Sequence, residues 1–412
     1  MLLLLFIISI TFALADECTN IYKPREVIAR AMNKDIHLTM KSYEIEMVHG
    51  YIRDARRIYN PEFEHFTTQG RQGEEFTENH ETRLWFIFQL GSKREKKALV
   101  FEAQESHTKT ELKLLENFLK KEFLHAFIRA LQIKNQLVTI GRLKSSLNQY
   151  IHRYEKIPHL TPEQQIDKGL LEMSLTDLDL TEAALHNENL LIGRFYQRIL
   201  AENCFVKIEI PENSRPNKWP PIEDLRFVPD QSLNIKLAQL TLEKTEFEFN
   251  REESKVWPDL KIGPVWQRNT IQGRESDLFG LSIILPIPST DLNKGLREAA
   301  SANQRRHEKH LSFQRDQNVL EFHYRKSVYE TLRSRYNAYQ RLNDFSALIR
   351  KSQNLFKRGL ISIPHILVIK QELLSLTRQV YRVENDIAEH LIEIFFINNL
   401  PIESVIYKAL NL

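Results

Sequence analysis

Two very long segments of the chain contain no proline, the residue that most strongly interrupts a helix. One lies between Pro61 and Pro158, and the other lies between Pro288 and Pro364. The 412 residues include only 12 Gly and 15 Pro, so helix-breaking residues are sparse and long elements are expected. As a single helix, Gly295 to Leu355 would extend for about 90 Å. A rod of this length is typical of coiled coils, tethers and helical ducts, and no compact domain needs one.

The two halves of the chain repeat the same order of predicted elements with a shift of roughly 200 residues. Each half begins with a helix that ends at a proline, continues with a glycine-containing β-hairpin, and then enters its long helix. A proline-containing turn leads to a last helix. The predicted shorter helices are Arg25–Tyr59, Glu163–Leu200, Gln231–Val256 and His365–Asn398. A duplicated order of this kind predicts one architecture that is built twice.

The N-terminal segment predicts export. Met1 to Ala13 is a continuous apolar run that is too short to span a bilayer as a helix. It ends on Ala13-Leu14-Ala15, the small-x-small pattern of a signal peptidase site. We expect a signal peptide at residues 1–15, a first repeat at 16–210, a breaker-rich linker at 211–224 and a second repeat at 225–412.

Composition limits the remaining classes. A hydrophobic fraction of 42% with a formal net charge of +3 is typical of a folded chain and argues against disorder. The nearly balanced charge gives no support for nucleic acid as a ligand. After the apolar start, no stretch reaches the roughly 20 apolar residues of a membrane-spanning helix. The mature protein is therefore expected either to be soluble or to cross a membrane as β-strands.

Motifs that carry catalysis are missing from the sequence. It contains no paired CxxC, no HExxH, no glycine-rich phosphate loop and no GxSxG elbow. The densest histidine cluster, His307-Glu308-Lys309-His310, is more typical of a solvated charged helix face than of a metal site. We therefore expect no enzymatic activity, no cofactor and no metal.

The two predicted hairpins bear on whether the chain enters a membrane. Barrel strands alternate lipid-facing and lumen-facing residues, and Thr82, Leu84, Phe86, Phe88 and Leu90 would share one face. The aromatic girdle candidates are Trp85, Trp257 and Trp266. An ordinary soluble hairpin packed on helices is the alternative. Four strands cannot close a barrel, and open edges are not tolerated in hydrocarbon, so a membrane-inserted sheet requires several identical chains.

The order of elements and several short motifs resemble the TolC family of outer-membrane efflux proteins across nearly the whole mature chain. The motifs with the clearest similarity are Pro258–Pro264, Phe279–Ile287, Asn293-Lys294-Gly295 and Arg358–Ser362. Among them, the Pro-Ile-Pro and Asn-Lys-Gly motifs are most similar to the CzcC-like heavy-metal branch.

This resemblance implies an α+β membrane protein in which the internally duplicated long-helix and β-hairpin repeats form a homotrimer. Its three chains would build a 12-stranded β-barrel in the outer membrane, continued by an α-helical barrel across the periplasm. It would be the passive channel of a tripartite efflux or type I secretion system for metal ions, drugs or other substrates. Its partners would be a periplasmic adaptor (a membrane fusion protein), an inner-membrane pump and outer-membrane lipid. A periplasmic coiled-coil scaffold or adaptor without a membrane barrel is the alternative.

The resemblance also assigns candidate sites. The two helix-to-helix turns would dock the adaptor, because such turns expose carbonyl groups and leave a groove beside them. These tips are Pro158, His159, Leu160 and Thr161, and Lys357, Arg358, Gly359, Leu360, Ile361 and Ser362. Gln164 and His365 occupy positions near those at which several relatives narrow the pore with aspartates. A ring of His365 would titrate near neutrality, whereas a solvated first-turn histidine is the alternative.

The two cysteines are candidates for a disulfide bond. In the family fold, the regions of Cys18 and Cys204 both lie around the middle of the helical barrel. Because the periplasm is oxidising, we take a disulfide bond between them as the working hypothesis that follows from the resemblance.

Overall fold

The structure, a computed structural model, describes residues 19–72, 75–210, 219–271, 273–287, 292–340, 351–352, 354–356, 358, 360–403 and 407. In chain order its elements are β1 (Thr19–Tyr22), α1 (Pro24–Lys34), α2 (Ile36–Arg56), β2 (Glu62–Gln72), β3 (Glu75–Gln89), α3 (Lys93–Glu155), α4 (Pro162–Ile199), β4 (Phe205–Ile208), α5 (Leu233–Ser254), β5 (Asp259–Ile271), β6 (Arg274–Ile284), α6 (Lys294–Gln340) and α7 (Ile363–Ile397).

The order of helices and strands confirms the predicted repeat. Each half contains a helix, a hairpin, a long helix, a turn and a last helix. Helix α3 has 63 residues, which corresponds to about 95 Å. Of the long helix predicted from Gly295 to Leu355, residues up to Gln340 form α6, and residues 341–350 lie outside the described part of the chain.

The helix predicted from Arg25 to Tyr59 is wrong in one respect, because it is two helices separated at Asp35. Asp35 has an extended backbone, with φ −62° and ψ 127°. Its carboxylate accepts hydrogen bonds from the backbone N–H groups of His37 at 2.9 Å and Leu38 at 3.2 Å. An aspartate in this role caps a new helix, so α2 starts afresh rather than continuing α1.

The chain folds into two compact units, each of which takes segments from both repeats. The helical unit consists of Met1–Thr39, Leu115–Val228 and Val319–Leu412, and the sheet unit consists of Met40–Leu114 and Pro229–Asn318. Each repeat thus contributes a hairpin to one unit and a helix-to-helix turn to the other.

The helical unit has two apolar cores. The larger core includes Phe123, Phe127 and Tyr196 on α3 and α4, which are at most 2% exposed, together with Leu391 on α7. The second core lies near the turns and is formed by side chains of α3, α4 and α7, including Leu143, Leu171 and Ile363. Leu171, Leu178 and Leu185 recur every seven residues, which is the spacing of packed long helices.

A short parallel pair of strands, β1 with β4, was not predicted from the sequence. Its register aligns Thr19 with Phe205 and Tyr22 with Ile208. The ring of Phe205 lies against Gly193, where any side chain would overlap it. This pair fixes the beginning of the first repeat to the end of α4.

The sheet unit contains a four-stranded antiparallel sheet in the order β2-β3-β5-β6. Helix α5 and the adjoining parts of α2, α3 and α6 belong to the same unit. Among the described residues, strands β2 and β6 each pair on one side only.

Candidate functional sites: an apolar sheet face and two helical tips

One face of the sheet exposes large apolar side chains over the half nearest the helices. We call this the apolar face; its members are Phe63, Leu84, Phe86, Phe88, Leu281 and Ile283, whose exposed fractions run from 37% to 69%. The register pairs Phe63 with Leu84 and aligns Phe86, Ile262 and Ile283 across three strands. The predicted alternation is therefore confirmed for Leu84, Phe86 and Phe88, whereas Leu90 lies just beyond the end of β3.

Toward the hairpin turns, strands β2 and β3 become polar on the same side of the sheet. The Oγ1 atom of Thr67 lies 3.3 Å from Nε2 of His65 and 3.1 Å from Nδ1 of His80. Nδ1 of His65 lies 2.9 Å from Oγ1 of Thr82. A strand that is apolar at its base and polar at its tip fits a boundary between hydrocarbon and water across the sheet.

The opposite face of the sheet carries a different chemistry. Trp85 is 1% exposed, and its indole N–H donates a hydrogen bond to the carboxylate of Glu64 at 2.8 Å. Trp85 is therefore not an exposed girdle residue, and that prediction was wrong. An interfacial tryptophan needs an exposed ring, whereas the ring of Trp85 is buried and its N–H group is bonded to Glu64. Trp257, in contrast, is 61% exposed.

Gly263 permits a close approach of two strands. It lies on β5 beside Leu84 and Trp85 of β3, and a Cβ atom added at Gly263 would overlap the backbone carbonyl of Leu84. Pro264 follows directly and has no backbone N–H to donate. At Gly263-Pro264 the backbones of β3 and β5 therefore approach more closely than a side chain at position 263 would allow.

At the first tip, α3 ends at Glu155 and α4 begins at Pro162. Thr161 is the N-cap residue, and its hydroxyl accepts a hydrogen bond from the backbone N–H of Gln164 at 3.3 Å. The side-chain oxygen of Gln164 accepts a bond from the backbone N–H of Thr161 at 3.0 Å in return. These reciprocal bonds form a capping box. Leu160 is half-buried, while Pro158 and His159 are exposed.

At the second tip, α7 begins at Ile363 with Ser362 as its N-cap residue. Oγ of Ser362 lies 2.9 Å from Nδ1 of His365. Arg358 and Leu360 are exposed, and the Leu360 side chain is 66% exposed. Ile361 packs beside the second core. Lys357 and Gly359 lie outside the described residues.

An aromatic contact joins the two tips, and a hydrogen bond connects the two helices of the first tip. The rings of Tyr150 and Phe356 meet edge to face with centroids 4.6 Å apart. The hydroxyl of Tyr154 on α3 donates a hydrogen bond to Asp167 on α4 at 3.1 Å. Burial, and then the negative charge and hydrogen bond of Asp167, raise the pKa of Tyr154 to about 12.

A buried lysine joins α7 to α4. The ammonium of Lys370, whose side chain is only 8% exposed, donates to the hydroxyl of Ser174 at 2.6 Å and to its carbonyl at 3.1 Å. Asp177 lies 3.3 Å away and compensates the charge. Sequence reasoning missed both Lys370 and the Tyr154–Asp167 bond. Tyr154 lies near the end of α3 and Asp167 lies near the start of α4, at similar distances in sequence from the turn between them. This spacing is a sequence signal that could have indicated the contact.

Two sequence predictions concern residues beyond the described ranges. Cys18 lies just outside them, so its bond to Cys204 stays a prediction. The signal peptide at residues 1–15 lies outside them as well.

No helix of the described part of the chain combines the length and hydropathy that crossing a bilayer requires. Within the same part of the chain, no three His, Cys, Asp or Glu side chains are grouped as a metal would need.

Neither a family model nor a curated protein matches the sequence of this chain. A membrane protein from Pseudomonas aeruginosa matches the structure with a TM-score of 0.71 and 13% identity, over 91% of this chain and 92% of that chain. CusC, whose crystal structures concern folding and transmembrane channel formation, matches with a TM-score of 0.68 and 12% identity over 94% and 92%. The open state of the Neisseria gonorrhoeae MtrE outer membrane channel matches with a TM-score of 0.67 and 13% identity over 94% and 88%. The chain therefore has the fold of these proteins.

Proposed function

We propose that this chain, which shares its fold with solved outer-membrane channels, is the outer-membrane channel of a tripartite efflux or type I secretion system in the TolC family. Three copies form a closed 12-stranded barrel in the outer membrane, and an α-helical barrel extends it into the periplasm. Metal ions, drugs or other substrates pass through without chemical change. An adaptor in the periplasm and a pump in the inner membrane complete the pathway and supply its energy.

The exposed apolar face on an open sheet is the observation that carries this proposal. Phe63, Phe86 and Leu281 would be costly to leave in water as part of one contiguous patch. In hydrocarbon, however, the unpaired backbone groups of the edge strands β2 and β6 would be costlier still. Pairing β2 of one copy with β6 of the next satisfies both requirements, because a closed barrel has no edges. A periplasmic scaffold without a barrel would have no use for this face.

The surface of α4 supports association of copies. Ile166, Met173 and Leu180 recur every seven residues and are between 66% and 70% exposed. A second stripe with the same spacing, Leu171, Leu178 and Leu185, is buried in the unit's own core. An exposed apolar stripe on a long helix is what a neighbouring helix covers in a helical barrel.

The tips are the proposed docking sites for the adaptor. Leu360 supplies an exposed apolar side chain, and Pro158, His159 and Arg358 surround the turns with exposed groups. A partner helix that packs beside a turn needs an apolar anchor of this kind. Gln164 and His365 are the proposed lining of a constriction near these tips, each in the first turn of its helix.

Membrane fractionation combined with planar-bilayer recording tests the proposed function. The mature protein is expected in the outer-membrane fraction and, after purification in detergent, to give stable conducting channels. Recovery in the soluble periplasm without detergent would favour the scaffold instead. For the tips, a photo-crosslinking residue at Leu360 is expected to capture a periplasmic adaptor, whereas the same residue at exposed Leu190 on α4 is not.

A further inference from the structure

The four connections between strands and helices lie at one end of the sheet. Strand β2 begins there at Glu62, β3 ends at Gln89, β5 begins at Asp259 and β6 ends at Ile284. The connections also touch one another. The ammonium of Lys93 lies 2.6 Å from Asp259, and the Trp257 ring packs on Gly91.

Basic residues are concentrated at this end. The segments 53–62, 89–97, 251–261 and 292–298 together contain twelve Lys and Arg against seven Asp and Glu. The opposite end, residues 67–81 and 267–277, contains three basic against six acidic residues. The two ends of the sheet therefore differ in the sign of their charge, although the whole chain is close to neutral at +3.

Several of these cations are not neutralised by the protein. We define the basic belt as Arg53, Arg57, Arg94, Lys96 and Lys294. Within the described ranges, Arg53, Arg57, Arg94 and Lys96 form no ion pair, and the three arginines are exposed. The Lys294 side chain is 84% exposed and lies 3.9 Å from Glu298, which is itself exposed. Such groups remain available to an outside anion.

Exposed aromatic side chains accompany the basic belt. Trp257 is 61% exposed and Tyr59 is 47% exposed. The connection from β3 to α3 starts at Leu90. Phe88 of the apolar face lies two residues before it and is 50% exposed. The side chains thus change from apolar to aromatic to cationic along this end of the sheet. A bilayer changes in the same order, from hydrocarbon through the interface to the phosphate groups of the lipids.

We propose that the basic belt binds the phosphate groups of anionic phospholipids in the leaflet that faces the helices. This proposal rests on the proposed function, because it requires the apolar face to be in a bilayer. The basic belt directly adjoins the apolar face. Binding to a protein partner would not require this arrangement, whereas binding to lipid phosphates would. The acidic opposite end fits no anionic headgroup, so the belt gives the sheet a preferred direction in the membrane.

The test is the composition of the lipid retained by the full-length protein. Purified protein is placed in bilayers of phosphatidylcholine and phosphatidylglycerol, extracted mildly, and its bound lipid is quantified by mass spectrometry. The belt variant carries Arg53→Gln, Arg57→Gln, Arg94→Gln and Lys96→Gln. A matched control neutralises four exposed arginines of the helical unit that form no ion pair within the described residues: Arg142→Gln, Arg194→Gln, Arg378→Gln and Arg382→Gln.

We expect wild type and control to enrich phosphatidylglycerol at least about fivefold, the value of one cation at an anionic surface. The belt variant should retain the two lipids close to their bulk ratio. Equal enrichment in the belt variant would overturn the proposal. If the belt variant does not fold, enrichment by wild type must fall with rising salt, and a salt-independent value counts against the proposal. Failure of all proteins to enter any bilayer would instead refute the proposed function.

Discussion

Oγ of Ser362 lies 2.9 Å from Nδ1 of His365, and this pair is the counterpart of Thr161 and Gln164 in the first repeat. In the first repeat the side chain of Gln164 accepts a hydrogen bond from the backbone N–H of Thr161, whereas in the second repeat the two side chains contact each other. Each of the two pore-constriction candidates thus contacts the N-cap residue of its own helix. A change at either position should therefore alter the tip itself as well as any pore that it lines.

Replacing the cap of α4 should loosen the first tip. Thr161→Ala removes the oxygen that accepts the backbone N–H of Gln164, which costs about 1 kcal/mol at a helix N-terminus. Hydrogen exchange at the first turn of α4 should become about fivefold faster, while Thr161→Ser should behave like wild type. Unchanged exchange in the alanine variant would mean that the capping box contributes little.

The Tyr154–Asp167 bond should make the first tip sensitive to high pH. The pKa of Tyr154 is raised from 10 to about 12, so the folded state favours the neutral phenol. Its contribution to stability is complete below pH 10 and is lost as the pH rises toward 12. The protection of amides near the turn, measured relative to the base-catalysed exchange of an unfolded chain, should fall over that range in wild type.

The Tyr154→Phe variant is the control for this titration, because it keeps the ring and removes the ionisable hydroxyl. Its amide protection near the turn should show no step between pH 10 and pH 12. A step of equal size in the variant would assign the titration to another group.

Gly263→Ala should disrupt the sheet, because the added Cβ would overlap the carbonyl of Leu84 on the adjacent strand. Overpacking of this kind typically costs about 1–3 kcal/mol, and here backbone must move. We expect a lower thermal midpoint and less assembled protein in detergent. Gly280→Ala on β6 is the matched control, since a Cβ there meets open space. Equal midpoints for the two variants would contradict the close approach of β3 and β5.

Met173→Glu should weaken association of copies through the exposed stripe on α4. A carboxylate in a helix-to-helix contact would lose its water without gaining a partner. In a single copy, position 173 is 70% exposed and accommodates Met or Glu equally well. Mass measurement of the detergent-solubilised protein should show fewer trimers for Met173→Glu and wild-type assembly for Met173→Leu. Wild-type assembly of both would place the contact elsewhere.

The long elements were predictable because their signals are local. Sparse prolines and the duplicated order were enough to predict α3, α4, α6 and α7, and the capping signature Thr161-x-x-Gln164 was available to place the start of α4. The break at Asp35 was missed because an aspartate inside an apolar helical pattern also suits a solvated position. The predicted heavy-metal branch still depends on short motifs alone.

Long-range pairing limited the rest of the prediction. Strands β1 and β4 have four residues each and lie about 190 residues apart in sequence, so no local pattern indicates that they pair. Trp85 was misjudged because its burial depends on Glu64 and the neighbouring strand. The Lys370–Ser174 contact likewise depends on how α7 packs against α4, which periodicity does not specify.

Imaging of the detergent-purified particle tests the central claim most directly. Single-particle reconstruction should yield a threefold tube in which β2 of each subunit pairs with β6 of the next, closing twelve strands around a lumen. A monomer with a free-standing four-stranded sheet, or an assembly without threefold symmetry, would contradict the proposed channel.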